Sequence, residues 1–144
     1  MADGDYHLVV LVWVATPDGR LVVTRRHPDK PWPLLWECTG GSVLAGEDSL
    51  RAALREVREE TGLALDPARG RVVDSYAGDD TIYDSWLFDH DVRLEDTAMQ
   101  EGEVVDIKLA FPAEIEALFS RGEFVPTLEG PFKAVQASMG ARRG

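Results

Sequence analysis

Glu56, Glu59 and Glu60 stand at i, i+3 and i+4, a spacing that can gather three carboxylates at one place. Residues 48–61 hold neither glycine nor proline and are rich in Ala, Leu, Arg and Glu, which predicts a helix. Gly62 supplies its stop signal. At the helical repeat Leu50, Leu54 and Val57 gather on a side that should face a core, while the three glutamates share another face. Like charges so placed repel, and they cost stability unless a cation sits among them. Oxygen-only ligands suit a hard divalent ion, Mg2+ or Mn2+. The competing reading is a solvated acidic face eased by Arg51, Arg55 and Arg58.

The wider segment favours the metal. Residues 41–63 run GSVLAGEDSLRAALREVREETGL. This parses as G-x5-E-x7-R-E-V-x-E-E-x-G-L and resembles the box of the Nudix hydrolases, G-x5-E-x7-R-E-U-x-E-E-x-G-U with U aliphatic. Every defining position is matched: Gly41, Glu47, Arg55, Glu56, Val57, Glu59, Glu60, Gly62 and Leu63. The resemblance implies that Glu59 is the principal metal ligand, with Glu56 and Glu60 sharing the shell and a backbone carbonyl at Gly40-Gly41 joining it. It also implies an ion pair of Arg55 with Glu47 that orients the helix carboxylates. Otherwise Arg55 is an i,i+4 partner of Glu59, worth only ~0.3–0.5 kcal/mol. Family members often recruit a further acid near a late strand, and Glu101 and Glu103 are the candidates here. Either could serve as ligand or as general base. The family usually reads F-P-G-G at the box entrance where this chain has C-T-G-G, a departure that removes no catalytic group.

A diphosphate linkage resists nucleophiles because its oxygens are negative. Divalent ions neutralise that charge, position the phosphorus and acidify a water, and a glutamate takes the water's proton. The resemblance thus implies a nucleotide or nucleotide-sugar pyrophosphatase, cleaving a nucleoside diphosphate linked to another moiety. The box does not name that moiety. Trp32, Trp36, Tyr76, Tyr83 and Trp86 are candidate walls for a base or sugar, with Trp36 and Tyr83 foremost, and Arg25 and Arg26 could hold phosphates. Each of these also has an ordinary reading as a core or surface residue. Neither the proline of the ADP-ribose pyrophosphatases nor the full coenzyme A signature is present.

Two alternatives come from other classes. Isopentenyl diphosphate isomerases are similar in the run-up, which Pro33-Leu-Leu-Trp36 and Glu101-Gly-Glu-Val104 echo. They need a cysteine where this chain has Gly41 and a histidine where it has Val43, and Cys38 falls three residues early. A Nudix-like domain that binds a nucleotide without cleaving it usually lacks one or more helix glutamates, and here the set is complete.

The elements that must position these residues read as follows. An apolar run at 6–15 and a second strand at 20–25 flank a turn at 16–19. Residues 27–33 hold three prolines and form a loop, and an extended piece at 36–39 leads to Gly40-Gly41. Strands are predicted at 71–77, 82–92 and 103–111, and helices at 112–120 and 132–142. This order suits a mixed sheet between helices, and the resemblance implies the same α/β class: a Nudix-type α/β/α sandwich with the box as loop-helix-loop, one domain over 1–144. Hydrophobic residues at 44% and charged residues at 28% are ordinary globular composition. No apolar run approaches the ~20 residues that span a bilayer, and the N-terminus lacks a basic signal region. Cys38 alone excludes an internal disulfide, so the cytoplasm is the expected compartment. A net charge of −11 disfavours duplex nucleic acid but not a small phosphorylated substrate met through a metal. Nudix enzymes are often homodimers, and nothing in the sequence marks an interface.

Overall fold

The computed structural model describes residues 7–143; Tyr6, expected in the first strand, lies outside them. Strand β1 (His7–Ala15) reads HLVVLVWVA, almost without polar alternation, because both of its faces are covered. Leu11, Trp13 and Ala15 enter one core cluster and Val10, Val12 and Val14 the other. This is the period-two division that a pleated strand enforces. The turn at 16–19 leads to β2 (Leu21–Arg26), and β3 (Trp36–Glu37) and β4 (Thr39–Ser42) follow the proline loop. Helix α1 (Ser49–Thr61) is followed by β5 (Gly70–Ala77), β6 (Thr81–Asp89) and β7 (Val104–Ala110), then α2 (Pro112–Ser120) and α3 (Glu129–Arg143).

The seven strands form one mixed sheet, ordered β3-β2-β1-β6-β5, with β4 on β1 and β7 on β2. β6 runs parallel to β1 along its whole length. The other edge of β1 is shared: β4 takes Val9 to Val12, while β2 is joined only at Ala15–Leu21. β2 therefore splays away, and a wedge opens between it and β4. Helix α1 covers one face through Ala52, Ala53 and Val57, and α2 and α3 cover the other through Ile115, Leu118, Phe132 and Val135. The α/β/α sandwich with its mixed sheet is thus present.

Two boundaries differ from the sequence reading by three residues, and the others by about one. β6 stops at Asp89 rather than 92, because Asp89 pairs with Ala15, the last residue of β1, and the partner ends there. Val92 is buried in the α1-side cluster beyond the strand, so its apolar character reports packing. α3 begins at Glu129, before Gly130 and Pro131. Proline is tolerated in a first turn, where its missing N–H has no intrahelical partner. Leu50 and Leu54 are only half-buried against the core, and the smaller Ala52 and Ala53 are what let α1 lie close to the sheet.

Candidate active site

Helix α1 starts where the Asp48 side chain accepts from the Arg51 N–H, 2.8 Å away. It ends where Gly62 adopts φ 77°, its N–H bonded to the Arg58 carbonyl. The next segment docks there: the Ala98 N–H bonds the Thr61 carbonyl at 2.8 Å, which brings the chain before β7 beside the end of the box helix. Two more bonds hold the other end of α1 on the sheet. Ser49 donates to Asp84 at 2.7 Å and accepts from the Trp86 indole at 2.8 Å.

Arg55 is the hub of the site. Its Nε and Nη2 donate to the two Glu47 carboxylate oxygens at 2.6 and 3.0 Å, and Nη2 also meets the Ser42 carbonyl at 3.0 Å. Nη1 reaches Glu56 at 2.8 Å and Glu59 at 3.3 Å. This planar fork satisfies several acceptors at once, which a lysine cannot do. Hydrogen bonding from Arg55 and from the Leu44 N–H holds the Glu47 carboxyl below its ordinary range, and the same bond to Glu47 raises Arg55 further above its own. The loop 42–47 is thereby tied to the helix.

The glutamates differ in setting. Glu59 lies 44% exposed beside Arg55 and Arg58. Glu56 is largely buried against Gly41, where a Cβ would lie 2.2 Å from its Oε1, so any larger residue there would displace the Glu56 carboxylate. Burial raises the Glu56 carboxyl, and Arg55 opposes the rise. Glu60 is 5% exposed, and its Oε2 has no hydrogen-bond partner among the described residues. Burial, and then the nearby charges of Glu37 and Glu56, push Glu60 up to about 8.

A buried, unpartnered carboxylate oxygen beside a second carboxylate fits a hard divalent cation, and the one thiol lining the same cleft, Cys38, is held in its protonated form by burial. The peptide groups at Gly40 and Gly41 lie against the same place. Among the described residues no three acidic, histidine or cysteine side chains converge on one point as they stand. Glu59 is turned to Arg55 at 3.3 Å, and only on leaving that contact could it join Glu56 and Glu60 around an ion.

In the wedge between β2 and β4 is a cleft of about 260 Å3, lined by Val9, Arg26, Lys30, Trp32, Gly41 and Glu60 among others. A separate cavity of about 330 Å3 lies by Thr16, Arg69 and His90 and includes no residue of the box.

A NUDIX domain model matches residues 5–129. An uncharacterized Nudix hydrolase of Listeria monocytogenes is 40% identical over 128 residues, 88% of this chain and 76% of the relative. The chain belongs to the Nudix hydrolase family. Such enzymes act on pyrophosphate bonds and are generally dependent on a divalent metal. The fold agrees: a MutT structure, described for Aliivibrio salmonicida and Vibrio cholerae, superposes with a TM-score of 0.74 at 21% identity, covering 93% of this chain and 99% of that one. A local match covers 46% of this chain and 35% of an isopentenyl-diphosphate isomerase from Cutibacterium acnes, 44% identical over 69 residues.

Around this Nudix site the other expected residues are distributed unevenly. Arg26 reaches the cleft, but its Nη1 is held by Glu37 at 2.7 Å and its Nε by the Pro31 carbonyl at 2.6 Å. Arg25, across a bulge in β2, turns away to the Leu34 carbonyl. The Trp36 ring is buried in the core with Arg25 and Lys108 against it, so it does not line the cleft. Tyr83 stacks on Tyr76 at 4.8 Å between centroids. Glu103 is ion-paired with Lys30 of the proline loop, and Glu101 is exposed on the preceding turn. The sequence reading missed Lys30 and Glu37. Glu37 is a lone charge in an apolar extended run, which is a visible signal, whereas Lys30 in a proline loop offers none. Burial raises the Glu37 carboxyl despite the Arg26 contact.

Proposed function

We propose that this Nudix hydrolase hydrolyses the diphosphate linkage of a nucleoside diphosphate joined to a second moiety, with Mg2+ or Mn2+ as cofactor. The observation that carries this reading is Glu60: buried, with one free oxygen, next to Glu56 in the Gly41 cradle and at the wall of a cleft. Glu56, Glu59, Glu60 and the Gly41 carbonyl would hold the cation, which supplies charge neutralisation at the phosphate oxygens and acidifies the attacking water. Arg55 and Glu47 fix the helix carboxylates in place, so little reorganisation is left for the reaction itself. Glu103 takes the proton of the attacking water, once a substrate phosphate has drawn Lys30 away from it. Lys30 and Arg26 then face the departing phosphate.

Against isomerase chemistry, the Gly41 position has no room for a cysteine side chain as Glu56 stands. Cys38 is buried and its thiol is pushed well above its ordinary range by that burial, so it is a poor nucleophile or acid. The test is phosphate or nucleotide release from a panel of dNTPs, oxidised dGTP, ADP-ribose, NADH, dinucleoside polyphosphates and capped nucleotides, with and without Mg2+ or Mn2+. Metal-dependent turnover of at least one compound is expected. No turnover of any of them would remove the proposal. The same reading takes residues 1–144 as one catalytic unit acting on a small substrate in the cytoplasm, either alone or as a homodimer.

A further inference from the structure

Trp32 is unlike the other large aromatics. Trp13 lies between Phe124 and Phe132, Trp86 stacks on Phe88 and bonds Ser49, and Trp36 is covered by two cations. Trp32 is 48% exposed and makes no ring contact or side-chain hydrogen bond among the described residues, yet it borders the cleft that holds Gly41 and Glu60. Its backbone is also forced. Trp32 and Leu34 have φ of 54° and 63°, and they are the only non-glycine residues with positive φ among the described residues. Such a conformation costs ~1–3 kcal/mol at each position and persists only where its surroundings impose it.

Those surroundings are specific. The Arg26 side chain holds the Pro31 carbonyl, the Arg25 side chain holds the Leu34 carbonyl, and Lys30 is ion-paired with Glu103. Two arginines are thus committed to holding a short loop that places an indole in water at the lip of the cleft, while Lys30 stays available to a phosphate. The cleft, at about 260 Å3, falls below the ~300–1,000 Å3 of sites for drug-sized ligands.

We propose that the Trp32 indole is the face on which the nucleobase of the substrate stacks, making it the residue that selects a nucleobase-bearing diphosphate over an aliphatic or bare one. The inference rests on the reading of this cleft as the substrate site. Strain held in the free protein means that the loop does not have to be ordered on binding, which preserves affinity. The polar groups of the site grip the diphosphate, common to all candidates, and the indole reads the planar group beyond it.

The test measures binding rather than turnover. α,β-Methylene ADP and α,β-methylene GDP, which resist cleavage, are titrated calorimetrically with Mg2+ present, and methylenediphosphonate serves as the base-free probe. Wild type is compared with Trp32→Phe, Trp32→Leu and Trp32→Ala, each checked for an unchanged melting temperature. Trp32→Ala is expected to weaken the better-bound nucleotide about 10-fold or more, as loss of one base–aromatic stack does, and to leave methylenediphosphonate unchanged. Trp32→Phe should stay within about threefold of wild type, while Trp32→Leu, of comparable apolar size but without a π face, should fall with Trp32→Ala. Leucine binding as well as tryptophan would overturn the stacking role. So would equal losses for nucleotide and methylenediphosphonate, or a wild type that binds neither nucleotide more tightly than the base-free probe. Because these titrations need no catalysis, failure of the hydrolase reading shows separately, as absent turnover across the substrate panel.

Discussion

At the scale of single residues, Glu60 is the group whose cost calls for an explanation. Leaving a buried carboxylate oxygen without a partner destabilises the metal-free fold, and Glu60 holds such an oxygen at 5% exposure. Above about pH 8, where this carboxyl is ionised in the metal-free protein, Glu60→Gln removes the charge but keeps the shape. It should raise the melting temperature of metal-free protein by a few degrees, ~1 kcal/mol, and abolish the further rise that Mg2+ or Mn2+ gives the wild type. Differential scanning fluorimetry with and without metal reads both effects, and a metal-induced rise that survives would move the ion elsewhere. Glu59 is exposed and partnered only loosely by Arg55, so Glu59→Gln should leave the fold intact while lowering kcat by at least ~10²-fold. The extra acid is decided by the same kind of comparison. Glu103 is held by Lys30 and Glu101 is not, so Glu103→Gln should depress kcat by ~10²–10⁴-fold and Glu101→Gln far less. Equal and negligible effects would return the base to the box helix, to Glu56 or Glu60.

At the scale of elements, a helix and a loop do different work. α1 is fixed at both ends, by Asp48 and Ser49 at its start and by Gly62 and the docked Ala98 segment at its finish. It was legible because helix formers and stop glycine agree along 48–62, while the capping role of Asp48 emerged only in the structure. The proline loop was legible only as a loop. Its two left-handed residues are a tryptophan and a leucine, types that give no local warning of positive φ. Leu34 is 43% exposed and contributes little packing, so Leu34→Gly should relieve strain and stabilise the protein by ~1 kcal/mol. The unfolded chain gains freedom from the added glycine, which trims the effect. A denaturant midpoint that falls instead would show that the Leu34 side chain matters more than its backbone.

At the scale of the whole molecule, the shared edge of β1 creates the site. β4 holds the first half of that edge and β2 only its end, so the glycine pair, the proline loop and the box helix meet around one wedge. A ligand that binds only the folded state stabilises all of it together, by ~2.7 kcal/mol at 100 times Kd, and Tm should climb with metal concentration. Among the described residues no helix is long and apolar enough to cross a membrane. The same architecture settles the isomerase question experimentally. With Gly41 packed on Glu56 and Cys38 buried in the core, incubation with isopentenyl diphosphate should give no dimethylallyl product by NMR. Product formed in proportion to enzyme would reverse the ranking.

The sequence alone determined the box helix, its stop glycine, the family resemblance and the α/β class, because each rests on local propensity or on fixed spacing within one segment. The alternation of Val10, Val12 and Val14 against Leu11, Trp13 and Ala15 was likewise present in the order of residues, although which helix met which face was not. Only the tertiary structure decided that Trp36 and Tyr83 are occupied by packing while Trp32 is free. It alone paired Lys30 with Glu103 and Arg26 with Glu37, and it alone separated buried Glu60 from exposed Glu59 on neighbouring positions of one helix. The physical reason is common to all of these. Burial and partnership are set by what arrives from distant parts of the chain, and Lys30 and Glu103, 73 positions apart, carry no local trace of their meeting.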